Sequence, residues 1–169
     1  MKVRGKSMRS IWLMPDGWSV GTIDQTKLPH VFETVSLTSA ALANLIAQVT
    51  GPGSPPVIDT TGMNNILDAS TAIIAPYSPS PLKMSVSCVS FDANKNMTVK
   101  WTALRNGTAP TIVVPTALKV ANTQLIYAEV SYGYKPTVGY TITGTLTLSD
   151  HMYMAPRISA PTYNSTACT

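Results

Sequence analysis

The stretch from Gln124 to Arg157, QLIYAEVSYGYKPTVGYTITGTLTLSDHMYMAPR, holds the most regular pattern of the chain. Between Gly139 and Asp150, tyrosine, isoleucine, leucine and one glycine alternate with threonine and serine, which is the period of a half-buried β-strand. A run of β-branched and aromatic residues precedes it at Leu125 to Tyr132, and Pro136 lies in the break between the two runs. We therefore predict a hairpin-like pair of strands at the centre of a sheet.

A second hairpin is predicted upstream of this pair. Every second residue from Met84 to Cys88 is apolar or cysteine, after which Val89 and Phe91 change the parity, and a β-bulge near positions 88 and 89 would account for the change. The Asx-rich residues 92–96 are typical of a turn, and apolar residues alternate again from Met97 to Trp101.

Two helices are predicted before these strands. The first runs from about Glu33 to Val49, with an inner face at i, i+3, i+4 and i+7 formed by Leu42, Leu45, Ile46 and Val49. The second runs from about Gly62 to Ile74 and follows three possible N-cap residues, Asp59, Thr60 and Thr61. Helices followed by antiparallel strands predict an α+β fold, with the helices packed on one face of an antiparallel sheet of about four to five strands.

The composition suits a single folded domain. The chain has 169 residues, of which 44% are hydrophobic and only 12% charged, and this low charge with abundant serine, threonine and proline is typical of a secreted or envelope protein. Residues 1–32 contain the breaks Pro15, Gly17, Gly21 and Pro29 and no sustained period, so we predict a poorly structured N-terminal segment there. Residues 33–169 are predicted to form the domain.

The basic residues give no sign of a nucleic-acid surface. Four of the twelve, Lys2, Arg4, Lys6 and Arg9, lie at the start of the chain, and the remaining eight balance the eight acidic residues. A nucleic-acid surface needs a basic stripe with interleaved aromatic residues, and the sequence has none. No signal peptide or membrane helix is readable either, because the apolar run Ile11 to Met14 is far shorter than the about 20 residues of a membrane span.

The two cysteines, Cys88 and Cys168, leave two alternatives open. They could form one disulfide that ties the C-terminal tail to the sheet, or they could be two unpaired thiols with Cys88 buried in a strand. Neither cysteine lies at metal-ligand spacing to the other or to His30 or His151, so no metal site is predicted.

Catalytic and cofactor motifs are absent from the sequence. It has no nucleophile elbow, zinc-protease motif or phosphate-binding loop, and its acidic residues are scattered, so we predict no catalytic or cofactor-binding residues and no enzymatic activity. His151 adjoins Asp150, but neighbouring residues of a strand point to opposite faces, so we interpret His151 as an exposed residue at a strand end.

An ordered set of segments between residues 33 and 168 resembles a known family. These segments are the alanine-rich helix VSLTSAALANLIAQV, the run IAPYSPSPLKMSVSCVSFDANKNMTVKW, the segment IYAEVSYGYKPTVGYTITGTLTLSD and the closing YMAPR with a final Cys168. Together they resemble the TadE/TadG-like proteins of bacterial tight-adherence pili, also called Flp or type IVc pili.

The resemblance implies a minor pilin or pseudopilin, a non-enzymatic structural subunit of the cell envelope, located in the periplasm or on the cell surface. Its partners would be other pilin or pilus-assembly proteins. The family associates with the membrane through an apolar N-terminal helix, whereas residues 1–32 have no apolar span, which predicts that the start is truncated or altered or that the anchor is lost.

Four aromatic residues are candidates for protein contacts, because aromatic side chains are enriched at interfaces: Trp101, Tyr132, Tyr134 and Tyr140. An alternative function uses the same region, from Trp101 to the run Tyr132–Tyr140. In this alternative the chain is a secreted or periplasmic module that binds a carbohydrate or a protein, and the region should form a concave aromatic pocket.

Overall fold

The computed structural model describes residues 27–49, 56–135 and 144–169. Its elements are α1 (Lys27–Ala47), β1 (Val57–Ile58), α2 (Thr60–Thr71), β2 (Leu82–Phe91), β3 (Met97–Arg105), β4 (Gln124–Tyr134), β5 (Leu146–Met154) and β6 (Thr162–Tyr163). Strands β2 to β5 form an antiparallel sheet in the order β3-β2-β4-β5, and β1 pairs with β6 in a small parallel sheet. The predicted α+β class, with helices on an antiparallel sheet, is confirmed.

Helix α1 begins earlier than its predicted start at Glu33. Pro29 lies in its first turn. A backbone N–H at this position would have no hydrogen-bond partner within the helix, so a proline is tolerated there. Val31 and Val35 are fully buried and fix this first part of the helix on the sheet. Residues 27–32 are therefore helical, whereas residues 1–26 of the segment predicted to be poorly structured lie outside the described residues.

The inner face of α1 differs from the predicted one. Leu42 and Ile46 are fully buried, but Leu45 is 39% exposed, so its predicted place on the inner face is wrong. The buried positions continue toward the N-terminus through Thr38 and Ser39, whose hydroxyls donate to backbone carbonyls one turn earlier. The buried side of α1 therefore includes Thr38 and Ser39 together with Leu42 and Ile46, and Leu45 lies outside it.

Helix α2 begins with a side-chain cap. The Asp59 carboxylate accepts a hydrogen bond of 2.7 Å from the backbone N–H of Gly62, which satisfies one of the free N–H groups of the first turn. Met63 and Leu67 then point into the core shared with α1. The helix ends in a 3₁₀ turn at Ala72–Ile74 before the proline-rich loop.

The hairpin of β2 and β3 has the predicted irregularity. Cys88 pairs with Trp101 and Val89 with Val99, so the register shifts at the predicted position and Lys100 is the extra residue. Strand β2 stays in continuous register with β4 along its whole length. The apolar residues at the end of β2, Val89 and Phe91, occupy odd-numbered positions. They are therefore buried on the face of the sheet opposite to Cys88.

Strands β4 and β5 are antiparallel neighbours, but they do not both lie at the centre of the sheet. β5 is an edge strand of the described sheet, and the central strands are β2 and β4. The burial of the strands agrees with this order: every residue of β2 except Lys83 is buried or half-buried, whereas β5 has only exposed and half-buried residues. Strand β5 begins at Leu146, and residues 136–143, which include the first part of the predicted alternation, lie outside the described residues.

Each face of the sheet has its own apolar cluster. On one face α1 covers Val86, Ile126 and the neighbouring even-numbered positions of β4, which form the main core. The other face, called here the outer face, holds a smaller cluster: Val89, Phe91, Val114, Leu125 and Tyr127. Residues 106–123 connect the end of β3 to the start of β4 along this outer face, and we call them the crossover.

The C-terminal tail packs back onto the domain. The backbone N–H of Thr162 donates to Pro56 O at 2.8 Å within the small parallel sheet, and the Trp101 indole donates to Pro161 O at 3.1 Å. Arg157 N–H donates to Ala47 O at the end of α1. The tail thus covers the rim of the main core.

Candidate functional site

The aromatic residues predicted to make protein contacts do not form one surface. Trp101 is only 6% exposed, because its ring packs against Tyr163 of the tail, with 5.5 Å between ring centroids. Tyr132 is 5% exposed and faces Tyr77 beneath the helices. Tyr134 is half-buried, and Tyr140 lies outside the described residues. Trp101 and Tyr132 therefore stabilise the core, and this region forms no concave aromatic pocket in the part of the chain that the structure describes.

Cys88 and Cys168 are joined in a disulfide, with 5.9 Å between their Cα atoms. Of the two alternatives left open by the sequence, the structure contains the bridged one. Both residues are almost completely buried, Cys88 in the middle of central strand β2 and Cys168 near the end of the tail. The bridge links the end of the chain to the middle of the sheet.

A shallow hollow of about 230 Å³ lies on the outer face, between the crossover and strands β4 and β5. Thr111 and Val113 of the crossover form one wall. The opposite wall and floor come from β4 and β5, chiefly through Tyr127, Glu129 and His151. We call this the Glu129 hollow. Tyr127, Glu129 and His151 were not predicted as site residues from the sequence.

The floor of the Glu129 hollow contains an ordered carboxylate. The Tyr127 hydroxyl donates a hydrogen bond of 2.7 Å to Glu129 Oε2, two residues further along the same face of β4. Burial raises the pKa of the Tyr127 phenol, and the hydrogen bond to Glu129 raises this pKa further. Burial also raises the pKa of Tyr153, again with a contribution from the negative charge of Glu129. Both phenols are therefore neutral donors at ordinary pH.

His151 stands directly across from Glu129 in the register of β4 and β5. Its imidazole packs against the rings of Tyr127 and Tyr153, with centroid distances of 5.7 and 5.4 Å. The predicted strand-end position is wrong, because β5 continues three residues beyond His151 to Met154. The predicted exposure of His151 is correct. Asp150 points to the opposite face of the sheet, because it pairs with Val130 on the helix-covered face.

The charges of the Glu129 hollow favour hydrogen-bond donors and cations. Glu129 is the one charged residue that lines it from the outer face, since Asp150 shares the helix-covered face with Val130, and among the described residues that line it there is no lysine or arginine. A carboxylate accepts hydrogen bonds only, whereas an imidazole can donate or accept. Across residues 27–49, 56–135 and 144–169, no group of three or more His, Cys, Asp or Glu side chains could hold a metal ion.

A second hollow of about 330 Å³ lies between the loop that follows α2 and the ends of β2 and β3. It is lined by Leu82 and Met84 and by the Arg105 guanidinium at its rim. Arg105 already forms an ion pair with Asp68 of α2. Because this positive charge is compensated within the domain, the second hollow offers little attraction to an anion.

Four curated proteins similar to the chain over short stretches are all named methylthioribose-1-phosphate isomerase. The protein of Escherichia coli is 54% identical over 43 residues, that of Rhodospirillum centenum 62% over 39, and that of Methylocella silvestris 43% over 56. These matches cover 25%, 23% and 32% of this chain, but only 12%, 10% and 15% of the respective relatives. The chain thus spans about an eighth of the length of the curated relatives it matches.

These similarities contradict the prediction that the chain has no enzymatic activity, because the proteins that share its segment are enzymes by name. No protein-family model matches the chain, and no solved structure matches it. Within the described residues, no helix is long and apolar enough to cross a membrane. The disulfide is compatible with a location outside the cytoplasm.

Proposed function

We propose that residues 33–169 form the head of a structural subunit in the bacterial envelope, similar to the minor pilins of tight-adherence pili. In this role the domain acts through contacts with other pilin or pilus-assembly proteins. The proposal rests on the family resemblance of the sequence, and the α+β architecture is compatible with it.

The observation that carries the proposal is the buried disulfide between Cys88 and Cys168. Disulfides persist in oxidising compartments such as the bacterial periplasm and are rare in the reducing cytoplasm. The low share of charged residues, 12%, also suits a domain whose surfaces meet neighbouring subunits.

Photo-crosslinking in a bacterium that makes tight-adherence pili tests this role. A photoreactive amino acid is placed at Leu104, an exposed position on edge strand β3, and separately at Leu45 on the outer side of α1. We expect crosslinks to other pilus proteins from at least one position. Crosslinks to cytoplasmic proteins alone, with both cysteines recovered as free thiols, would overturn the proposal.

The comparisons favour a second candidate function. The chain shares a segment with four methylthioribose-1-phosphate isomerases, so it would take part in the isomerisation of methylthioribose 1-phosphate. The Glu129 hollow gives this candidate no support, because its Glu129 carboxylate would repel a phosphate and its lining has no lysine or arginine among the described residues. Incubating the purified chain with methylthioribose 1-phosphate and detecting the isomerised product by mass spectrometry tests the candidate. If no product forms at high protein concentration, this chain on its own does not catalyse the isomerisation, and the candidate function is rejected for it.

A further inference from the structure

Glu129 is a carboxylate without a cationic partner in the described structure. The ion pairs formed there join His30 with Glu33 and Asp68 with Arg105, and neither involves Glu129. Its cross-strand neighbours on the two sides are Ser85 of β2 and His151 of β5. Lys83 of β2 lies diagonally across from Glu129 on the same face but forms no ion pair with it, so the half-buried carboxylate leaves a negative charge at the floor of the hollow.

The Glu129 carboxylate is also held in place before any ligand binds. The hydrogen bond from the Tyr127 hydroxyl fixes Oε2, and Tyr127 itself is 4% exposed and immobilised in the outer apolar cluster. The other carboxylate oxygen makes no hydrogen bond with the described residues. An acceptor that is already ordered loses little side-chain entropy when a donor arrives.

The walls of the hollow suit a flat, cationic group. The rings of Tyr127, His151 and Tyr153 lie within 5.1 to 5.7 Å of one another, measured between centroids. A guanidinium group can stack on the exposed His151 imidazole or the half-buried Tyr153 ring while it donates two hydrogen bonds to a carboxylate. A volume of about 230 Å³ admits one side chain, because pockets for whole drug-sized ligands begin at about 300 Å³.

We propose that the Glu129 hollow receives a single arginine side chain from a partner protein, with Glu129 as its counter-ion. Charge complementarity selects the occupant, because the hollow offers the Glu129 carboxylate and aromatic rings but no lysine or arginine among the described residues that line it. Tyr127 acts as a positioning residue that orients the Glu129 carboxylate. The inference rests on the proposed contact function and specifies the chemistry of the partner.

The test is a titration of the full chain, labelled with ¹⁵N, with the peptide acetyl-Gly-Arg-Gly-amide. We expect saturable shifts of the backbone amide signals of Glu129 and His151. The matched probe acetyl-Gly-citrulline-Gly-amide has nearly the same shape but no charge, and we expect it to bind at least about tenfold more weakly, which corresponds to about 1.4 kcal/mol. Equal binding of both peptides would overturn the proposal.

Two variants, with Glu33→Gln as the control, connect the binding to the Glu129 carboxylate. Glu129→Gln should abolish the difference between the two peptides, whereas Glu33→Gln, which changes the net charge equally on exposed α1, should preserve it. Tyr127→Phe keeps the negative charge but frees the carboxylate, and it should weaken binding of the arginine peptide about two- to tenfold, the equivalent of one hydrogen bond. Preserved arginine selectivity in Glu129→Gln would overturn the proposal.

The outcomes separate this inference from the proposed function. If the arginine peptide does not bind while crosslinks to pilus proteins form, the hollow is not the contact site and the envelope role stands. If the peptide binds while no such crosslinks form, the site is real and its partner lies elsewhere. Dispersed ¹⁵N spectra of each variant exclude loss of folding as the cause.

Discussion

Leu42 and Leu45 lie one turn apart on α1, yet they have opposite environments. Leu42 is fully buried against the sheet and Leu45 is 39% exposed. We expect Leu42→Ala to lower the free energy of unfolding by about 2 to 5 kcal/mol, because it removes buried methyl groups and leaves a cavity. Urea denaturation followed by circular dichroism measures the change.

Leu45→Ala is the matched control for Leu42→Ala, because it makes the same leucine-to-alanine substitution on the same helix. It should lower the free energy of unfolding by only about 1 kcal/mol, because Leu45 is already 39% exposed whereas Leu42 is fully buried. Similar losses in the two variants would mean that the outer side of α1 is buried, for example against another protein.

The Tyr127 phenol should make folding stability sensitive to alkaline pH. Its pKa is raised in the folded state by burial and by Glu129, whereas an unfolded tyrosine titrates near pH 10. The stabilisation from the neutral phenol is complete below about pH 10 and is lost as the pH rises toward the folded-state pKa. The free energy of unfolding should therefore fall, relative to Tyr127→Phe, by up to about 1.4 kcal/mol per pH unit above pH 10.

Chemical denaturation of both proteins between pH 8 and pH 11 measures this difference. Tyr127→Phe is the appropriate comparison because it keeps the ring in the outer apolar cluster and removes only the hydroxyl. Parallel pH profiles of the two proteins would contradict the prediction and would indicate that the phenol ionises as easily when folded as when unfolded.

The residues of the Glu129 hollow could not be recognised from the sequence. Tyr127 and Glu129 are separated from His151 by more than twenty positions, and only the register of β4 and β5 brings them together. The one available signal was local: a tyrosine and a glutamate two positions apart in a strand face the same side. The inner face of α1 was misjudged because its buried side includes the small polar residues Thr38 and Ser39, which a period of apolar residues does not reveal.

At the scale of the elements, the turn between β2 and β3 is held by a single carboxylate. Asp92 accepts hydrogen bonds from the backbone N–H groups of Asn94 and Asn96, both at 2.8 Å, and from the Asn96 side chain at 2.9 Å. These bonds, above all the one from the Asn96 side chain, lower the pKa of Asp92. Within this turn Lys95 has a φ of 64°, a left-handed conformation that costs a lysine free energy.

We expect Lys95→Gly to stabilise the protein, because glycine adopts a positive φ without the steric cost of a Cβ atom. The gain should be about 0.5 to 1 kcal/mol after the greater freedom of glycine in the unfolded chain is subtracted. Thermal unfolding followed by calorimetry measures it. Lys95→Ala removes the same charge but keeps the Cβ atom, so a gain of equal size in that variant would refute the backbone explanation.

The elements that the sequence predicted well are those with local signals. The hairpin of β2 and β3 has alternation on both sides of an Asx-rich turn, and α2 has an N-cap at Asp59. By contrast, β1 and β6 contain two residues each and are far apart in the chain, so no periodic pattern can reveal their parallel pairing. The edge position of β5 likewise depends on which strands pair and not on its own regular alternation.

At the scale of the whole molecule, the disulfide closes a loop of 80 positions. In the loop-entropy model such a closure stabilises the folded state by roughly 4 kcal/mol. Cys168→Ser should therefore lower the free energy of unfolding by up to about 4 kcal/mol, measured in urea under oxidising conditions. Adding a reductant is the control: it should destabilise the parent protein and leave Cys168→Ser unchanged. An unaffected parent protein would contradict the prediction.

The same bridge determines how the protein carries mechanical load. A force applied at Thr169 passes through Cys168 directly into Cys88, in the middle of a strand that is paired on both sides. The residues between the two cysteines are bypassed, so β5 and the tail carry no tension. In an optical trap, the oxidised chain should unfold to a length shorter than the reduced chain by roughly 270 Å, since 80 positions are shielded from the pull.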